Sequence, residues 1–567
     1  MVVNHKHMQT EGKGKSFLSR SVAIFQRSQY GIAGVLCFTA LLHLNFINVS
    51  QIWDGYIYYA ELLKALRETG SWQNFLHNFN IAGHPAMGYM ALMAIGQLID
   101  YGNPILLNGS NLLLLLLAVW AFYKILCFFS PAENDRLEML MITLLFALNP
   151  VLFGASLFFN LDFPVTIFLV CVLYALLYEK YFLAGLFGFF LVFSKETGII
   201  LFGGIVTLFI FVPLLSRFIP LGLFHAQAAE STMRGLRDRW QSSVLKTIWV
   251  ALPLPLSLYF WLIYNSSQNW IGGPIVSLGW DGHIALTRLF QMLGMNFQWL
   301  LSLCIFFALI RICFAKEHVW KGLCNWKGRS YYAGALIVLW GGFVVMNLFL
   351  KTFTNVRYVL PAIIFLLLFF SFSLRKLIIS RGLRLAIIAI ITVLTGWQVF
   401  QTVDPVSRAF FGTVPFGNHQ LLKMTAVTGE CCGRAGRDQL VYNSEFAMIP
   451  RLLDKMYAEI PITGESNIIV SPLANFNIFT PVDTVTRKRT MKSGDAFFSQ
   501  VYGFERIARG DLPERGYYVY MPWMEDAKKE LDFVRHFFVV EDKKVIAMNG
   551  YSLDVYTVTA KVTPVLN

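Results

Sequence analysis

Up to residue 400 the chain alternates long apolar runs with short polar loops. Runs close to membrane-spanning length fall at 30–49, 105–129, 137–159, 163–178, 182–193, 197–215, 247–264, 297–313, 331–350, 359–374 and 385–400. A span needs roughly 20 apolar residues, so this pattern predicts about eleven transmembrane helices. One further run, "HPAMGYMALMAIGQLID" at 84–100, is shorter and opens on His-Pro. It reads either as a span or as a juxtamembrane helix lying at the interface. Lys6, Lys13, Lys15, Arg20 and Arg27 precede the first run like the start of a signal peptide. That run is long enough to span and no small-residue cleavage site follows it, so it is expected to be the first membrane helix.

Loop charge chooses between the two readings of 84–100. If that run does not span and the N-terminus is cytoplasmic, three basic loops become cytoplasmic together. They carry Arg217, Arg234, Arg237 and Arg239; Lys316, Lys321, Lys327 and Arg329; and Arg375, Lys376, Arg381 and Arg384. Asp54, His84, Asp162, Lys195 and Arg357 then all fall on the outer side. So does everything after Gln401. From about Thr402 the pattern changes to short β-rich runs ("NIIVSPL", "YYVYMPW", "LDVYTVTA") among helical ones such as "EFAMIPRLLDKMYAEI". The expected division is a transmembrane domain over 1–401 and a small α/β extracytoplasmic domain over 402–567. In that domain "GYYVYMPW" puts Tyr518, Tyr520 and Pro522 on one strand face and Tyr517, Val519, Met521 and Trp523 on the other. These residues read either as the domain's core or as acceptor contacts.

Composition supports the membrane reading: of 567 residues, 56% are hydrophobic and only 14% charged. The net charge of +13 sits in short loops between apolar runs, which excludes nucleic-acid binding as its explanation. Eight Cys without a CxxC pair indicate neither a disulfide framework nor a zinc site. No internal repeat supports an inverted-repeat transporter.

Several charges remain that neither composition nor orientation explains. Asp54 follows the first run in "WDGYIYYAEL", either capping an aromatic interfacial helix or acting as a base. Asp162 lies between two apolar runs in "FFNLDFPVTIF", either capping the next helix ahead of Pro164 or held for a function. Lys195 and Glu196 in "FSKETGIILF" follow a run too short to cross unaided, either neutralising each other or facing a wet cavity. Arg357 in "NVRYVLPAIIFLLL" is a cation at an outer membrane end, either snorkelling or binding an anion. His84 opens the interfacial helix, as a packed or capping residue or as a ligand. Cations that hold a phosphate and a carboxylate that takes a proton from an incoming hydroxyl are the parts needed to move a group off a lipid-linked phosphate.

The ordered set "WDGYIYYAEL", "HPAMGYMALMAIGQLI", "LDFPVTIFLVCVLYALL" and "FSKETGIILF", with a weaker echo at "NVRYVLPAIIFLLL", resembles the GT-C superfamily of integral-membrane glycosyltransferases. It is similar to bacterial members of the protein O-mannosyltransferase and lipid A aminoarabinose-transferase type. The resemblance implies a mainly α, polytopic GT-C fold in a bacterial inner membrane and a polyprenyl-phosphate-sugar donor. It also implies a glycan, lipid or protein acceptor, and inversion at the anomeric carbon. Asp54 matches the likely general base and Asp162 a second external-loop Asp in the same cavity, so both are expected to be catalytic. Lys195 and Arg357 match donor-phosphate ligands, and His84 stands where relatives carry a phosphate-binding Lys. Glu196 and Tyr58 are placed as supporting residues. Relatives often carry Asp-Glu where this chain has Asp54-Gly55, and whether a divalent metal assists is left open. The competing readings are a flippase or transporter of lipid-linked saccharides, which expects functional charges at mid-membrane, and a non-catalytic scaffold, which leaves the charges without a purpose.

Overall fold

The computed structural model describes residues 28–49, 51, 55, 58–59, 62–63, 65–66, 84, 86–130, 135–212, 247–267, 277–294, 298–314, 329–351, 356–400, 406, 409, 415–416, 419–420, 448–460, 467–470, 501–522 and 527–561. Within them every predicted apolar run is helical over much of its length: α1 (Ser28–Leu44), α2 (Met87–Ile99), α3 (Pro104–Phe129), α4 (Arg136–Ala147), α5 (Pro150–Ala155), α6 (Asp162–Leu177), α7 (Tyr181–Val192), α8 (Glu196–Val206), α9 (Pro253–Ser267), α10 (Gly282–Leu293), α11 (Gln298–Phe314), α12 (Arg329–Phe349), α13 (Ala362–Leu377) and α14 (Arg381–Val399). Three are long and apolar enough to cross a membrane: α3, α14 and, from Tyr331, α12. At 1.5 Å per residue the 26 residues of α3 cover about 39 Å. The 13 residues of α2 cover only about 20 Å, short of a ~30 Å hydrocarbon core.

The run at 137–159 is not one helix. Pro150 has no N–H to donate and its ring collides with the preceding turn, so α4 ends at Ala147. Asn149 restarts the chain, its Oδ1 accepting from the Leu152 N–H at 3.0 Å to open α5. After α5 the chain runs irregularly to Asn160 before α6 begins. Every residue of α6 is buried, which explains why its sequence is apolar on all sides: it lies at the centre of the bundle, against α3 and α7.

Helix direction sorts charge to the two ends of the bundle. Where α3 ends and α4 begins, Arg384 donates from Nε and Nη2 to Glu138 Oε1 (3.0 and 2.8 Å), and Arg375 pairs with Asp135 at 2.9 Å. The starts of α6 and α8 lie at the opposite end. There a two-residue antiparallel pair, β1 (Ser277–Leu278) with β2 (Leu350–Lys351), joins the loop before α10 to the one after α12. Helix α10 is amphipathic, capped by Asp281 Oδ1, which accepts from the His283 and Ile284 N–H groups, and it buries Ala285, Arg288 and Met292 along one stripe.

Beyond α14 the described residues include a short pair, β3 (Pro415–Phe416) with β4 (His419–Gln420), and then an α/β unit. Its elements are α15 (Met448–Glu459), β5 (Ile468–Val470), β6 (Val501–Gly503), α16 (Phe504–Ala508), β7 (Arg515–Tyr520), α17 (Ala527–Phe537), β8 (Phe538–Met548) and β9 (Tyr551–Ala560). The sheet order is β6-β5-β7-β9-β8, with β5 parallel to β6 and β7 and the other pairs antiparallel. Asn549 and Gly550, at φ 50° and 81°, form the tight β8–β9 turn that such a two-residue hairpin demands. Strand β7 is central, and both Tyr518 and Val519 are fully buried, so it serves the domain's core on both faces. Tyr518 stacks on its cross-strand partner Tyr556 at 6.3 Å, and burial together with nearby Glu530 pushes its phenol well above the usual value. Trp523 lies outside the described residues.

Candidate functional site: a buried carboxylate between two cations

The site begins with Asn160. Its Oδ1 accepts from the backbone N–H groups of Asp162 (3.1 Å) and Phe163 (2.8 Å), capping α6. Asp162 is thereby relieved of the capping role that its place before Pro164 allowed. Its carboxylate, in a residue only 5% exposed, turns to two cations instead: Lys195 Nζ stands 2.6 Å from Oδ1 and Arg357 Nε 3.3 Å from Oδ2.

Lys195 reaches this point because of how α7 ends. After Val192 the chain makes a turn in which the Ser194 hydroxyl donates to the Phe190 carbonyl at 2.6 Å. Lys195 is then fully extended (φ −167°, ψ 159°) before Glu196 opens α8. One extended residue sends the neighbouring side chains to different partners. Lys195 goes to Asp162, and both carboxylate oxygens of Glu196 lie against His84 Nδ1 (2.9 and 3.0 Å). The mutually neutralising Lys195–Glu196 pair that the sequence allowed is therefore not formed. Glu196 also sits in the first turn of α8, where the helix dipole favours an anion.

Arg357 lies in a 3-10 turn, Val356–Val359, just before α13. It is buried, which excludes a side chain snorkelling to water. The next residue, Tyr358, was not singled out by the sequence reading: its ring lies 4.4 Å below Lys195 Nζ and 5.6 Å from the Arg357 guanidinium carbon. A tyrosine face is attractive to both cations. Arg288 was also missed. It is buried in α10 with Nη1 donating to the Asn347 carbonyl at 2.6 Å, and it interacts electrostatically with Tyr358. Burial pushes its pKa below the ordinary arginine value and Tyr358 opposes that shift. Its signal in the sequence was a lone Arg on the apolar stripe of an amphipathic helix.

Asp54 lies outside the described residues. Its neighbour Gly55 is described: a Cβ there would stand 2.9 Å from the Phe159 carbonyl oxygen and 3.0 Å from Phe158 Cδ2, so the position has no room for an acidic side chain. The described positions from 55 to 66 are helical, as the aromatic amphipathic pattern predicts, and Tyr59, Leu62, Leu63 and Ala65 are buried against α2 and Phe159. Tyr58 lies edge-on to Phe159 at 6.1 Å, near the segment that leads to Asp162.

The structure thus brings Asp162, Lys195 and Arg357 together and sets the His84–Glu196 pair beside them through the Lys195–Glu196 peptide. Two cations converge on one nearly buried carboxylate, and an anion that reaches them gains from both. Among the described residues, no three His, Cys, Asp or Glu side chains form a metal-binding group.

No protein-family model matches the sequence, and no curated protein matches it. Two solved structures of ArnT from Cupriavidus metallidurans are similar. The apo form has a TM-score of 0.45 and 13% identity over 93% of this chain and 98% of that one. The form bound to undecaprenyl phosphate has a TM-score of 0.46 and 13% identity over 93% and 97%.

Proposed function

We propose that this chain is a membrane-embedded glycosyltransferase that moves a sugar from a polyprenyl-phosphate donor to an acceptor hydroxyl at the outer face of the membrane. The observation that carries this reading is the convergence of Lys195 and Arg357 on Asp162 at one end of a bundle of apolar helices. A lipid whose chain lies among apolar helices brings its phosphate to such an end. The two cations hold that phosphate, and His84 adds a third donor beside them. The segment between α1 and α2 supplies Asp54 as general base. As the acceptor oxygen bonds to the anomeric carbon, its proton passes to the Asp54 carboxylate. The bond from that carbon to the phosphate oxygen breaks, and its electron pair leaves with polyprenyl phosphate. Attack opposite the leaving group inverts the anomeric centre.

The buried charges of the described membrane helices lie at helix ends, not midway, which favours a surface reaction over a transport pathway. The basic residues Arg375, Lys376, Arg381 and Arg384 gather at the end away from Asp162, and positive loops face the cytoplasm. The site is therefore assigned to the outer face.

Undecaprenyl phosphate without any sugar is the probe that tests the reading. At an effective dielectric near ~20, a cation at ~4 Å contributes about 4 kcal/mol before desolvation. Lys195→Ala and Arg357→Ala are each expected to weaken its binding to purified protein by about tenfold or more. Wild-type affinity in both variants would move the phosphate elsewhere.

A further inference from the structure

A second set of buried polar side chains lies at the same end of the bundle and takes no part in the chemistry above. Gln51 is buried just beyond α1. Its Nε2 donates to Asn108 Oδ1 at 2.9 Å, and its Oε1 accepts from the Phe159 N–H at 2.6 Å. Asn108, in α3, donates from Nδ2 to the carbonyls of Ile47 (2.8 Å) and Val49 (3.0 Å). Three residues along the same helix, Asn111 Oδ1 accepts from the Tyr89 hydroxyl at 2.7 Å, and its Nδ2 donates to the Phe158 carbonyl at 3.3 Å. Gly55 approaches the Phe159 carbonyl so closely that a methyl group there would collide with it. Two consecutive residues, Phe158 and Phe159, are thus gripped through the backbone by Gln51 and Asn111 and covered by Gly55.

Amides buried among apolar helices are costly unless fully bonded, and once bonded they fix one arrangement. What these fix is the irregular link between α5 and α6. That link has no regular ladder of its own, and Asp162 is attached directly to it through Asn160. Its position determines where the Asp162 carboxylate stands between Lys195 and Arg357.

We propose that Gln51 is a positioning residue for the Asp162 centre. By holding the Phe159 N–H it keeps the Asp162 carboxylate on both cations, and so sets how much of their charge is left for the phosphate. The proposal rests on the lipid-phosphate reading of that centre and adds to it the residue that tunes the phosphate's competitor.

Gln51→Met keeps the length of the side chain and removes both bonds. In an experimental structure of the variant, the Lys195–Asp162 distance is expected to open beyond hydrogen-bonding range. Undecaprenyl phosphate is expected to bind about two- to fivefold tighter, in the direction of Asp162→Asn, and to gain nothing further in the double variant. A lesion that merely loosened the fold would weaken binding instead. An unchanged cation–carboxylate cluster, or weaker binding in Gln51→Met, overturns the proposal. Should Gln51→Met fail to fold, Gly55→Ala pushes the same Phe159 carbonyl with one methyl group and is read in the same two ways. If wild-type protein binds no undecaprenyl phosphate, the lipid-phosphate reading falls, while the distance comparison still decides the role of Gln51.

Discussion

Asp162 and Lys195, 33 residues apart in the chain, meet at 2.6 Å with both side chains largely buried, while the second carboxylate oxygen of Asp162 faces Arg357. The carboxylate holds two cations that would otherwise repel each other, and in the function we propose it competes with the lipid phosphate for their charge. Positioning and competition are built into the same contact.

Removing only the charge separates those two effects. Asp162→Asn keeps the size of the side chain but takes a carboxylate away from Lys195 and Arg357, and breaking a buried pair costs about 3–5 kcal/mol. The empty variant is expected to unfold at a clearly lower temperature than wild type. The pocket is also more positive, so undecaprenyl phosphate is expected to bind about tenfold tighter and to raise the unfolding temperature more than in wild type. Calorimetric titration and thermal unfolding with and without the lipid measure both. Weaker binding would mean that Asp162 orients the cations and does not compete for them.

Tyr358 lies under both cations, and the part of it that matters to them is the ring face. Such contacts contribute ~0.5–2 kcal/mol, more when water is excluded. Tyr358→Leu is expected to weaken undecaprenyl phosphate binding by about three- to tenfold, and Tyr358→Phe to restore it to within about twofold of wild type. Equal losses in Leu and Phe variants would assign the effect to the hydroxyl.

The bundle was legible in the sequence because each membrane helix declares itself locally, through an apolar run bounded by loop charge. The break at Pro150 was written there too, but the run of apolar residues on either side concealed it. Lys195, Arg357 and Asp162 stood out as charges where lipid makes charge expensive. Their pairing was not legible, because contacts such as His84 with Glu196, 112 positions away, depend on how the helices pack. Tyr358 and Gln51 were missed for the opposite reason. An aromatic residue near a membrane end and an amide after a helix are ordinary locally, and only the cations above one and the Phe159 N–H beside the other make them unusual.

The charge cluster at the opposite end predicts a different phenotype. Glu138 is almost wholly buried, and one of its oxygens accepts two bonds from Arg384. Arg384→Ala leaves that carboxylate with Arg375, 3.5 Å from its other oxygen. A stability loss of about 3 kcal/mol is expected, seen as a lower thermal midpoint in detergent. Undecaprenyl phosphate affinity measured below that midpoint is expected to stay within about twofold of wild type. A large change in affinity would connect the two ends of the bundle, which no contact among the described residues does directly.

The assignment of the base follows from what Asp162 is already doing. With one oxygen on Lys195 and the other facing Arg357, its carboxylate is already committed to holding two cations. We assign the base to Asp54, carried in the chain between Gln51 and Gly55. A positioned carboxylate contributes 10²–10⁴-fold by taking the acceptor's proton as the new bond forms. Asp54→Asn keeps an oxygen able to cap a helix, so a capping role predicts near-normal turnover. The catalytic role predicts a fall of about 10²-fold or more in release of undecaprenyl phosphate from its sugar-linked form, with affinity for undecaprenyl phosphate itself nearly unchanged. Asp162→Asn is expected to alter that affinity, which Asp54→Asn leaves alone, and the contrast tells the base from the counter-ion. If purified Asp54→Asn turns over at the wild-type rate, Asp54 is a helix cap and the base must be sought among the other carboxylates near the phosphate.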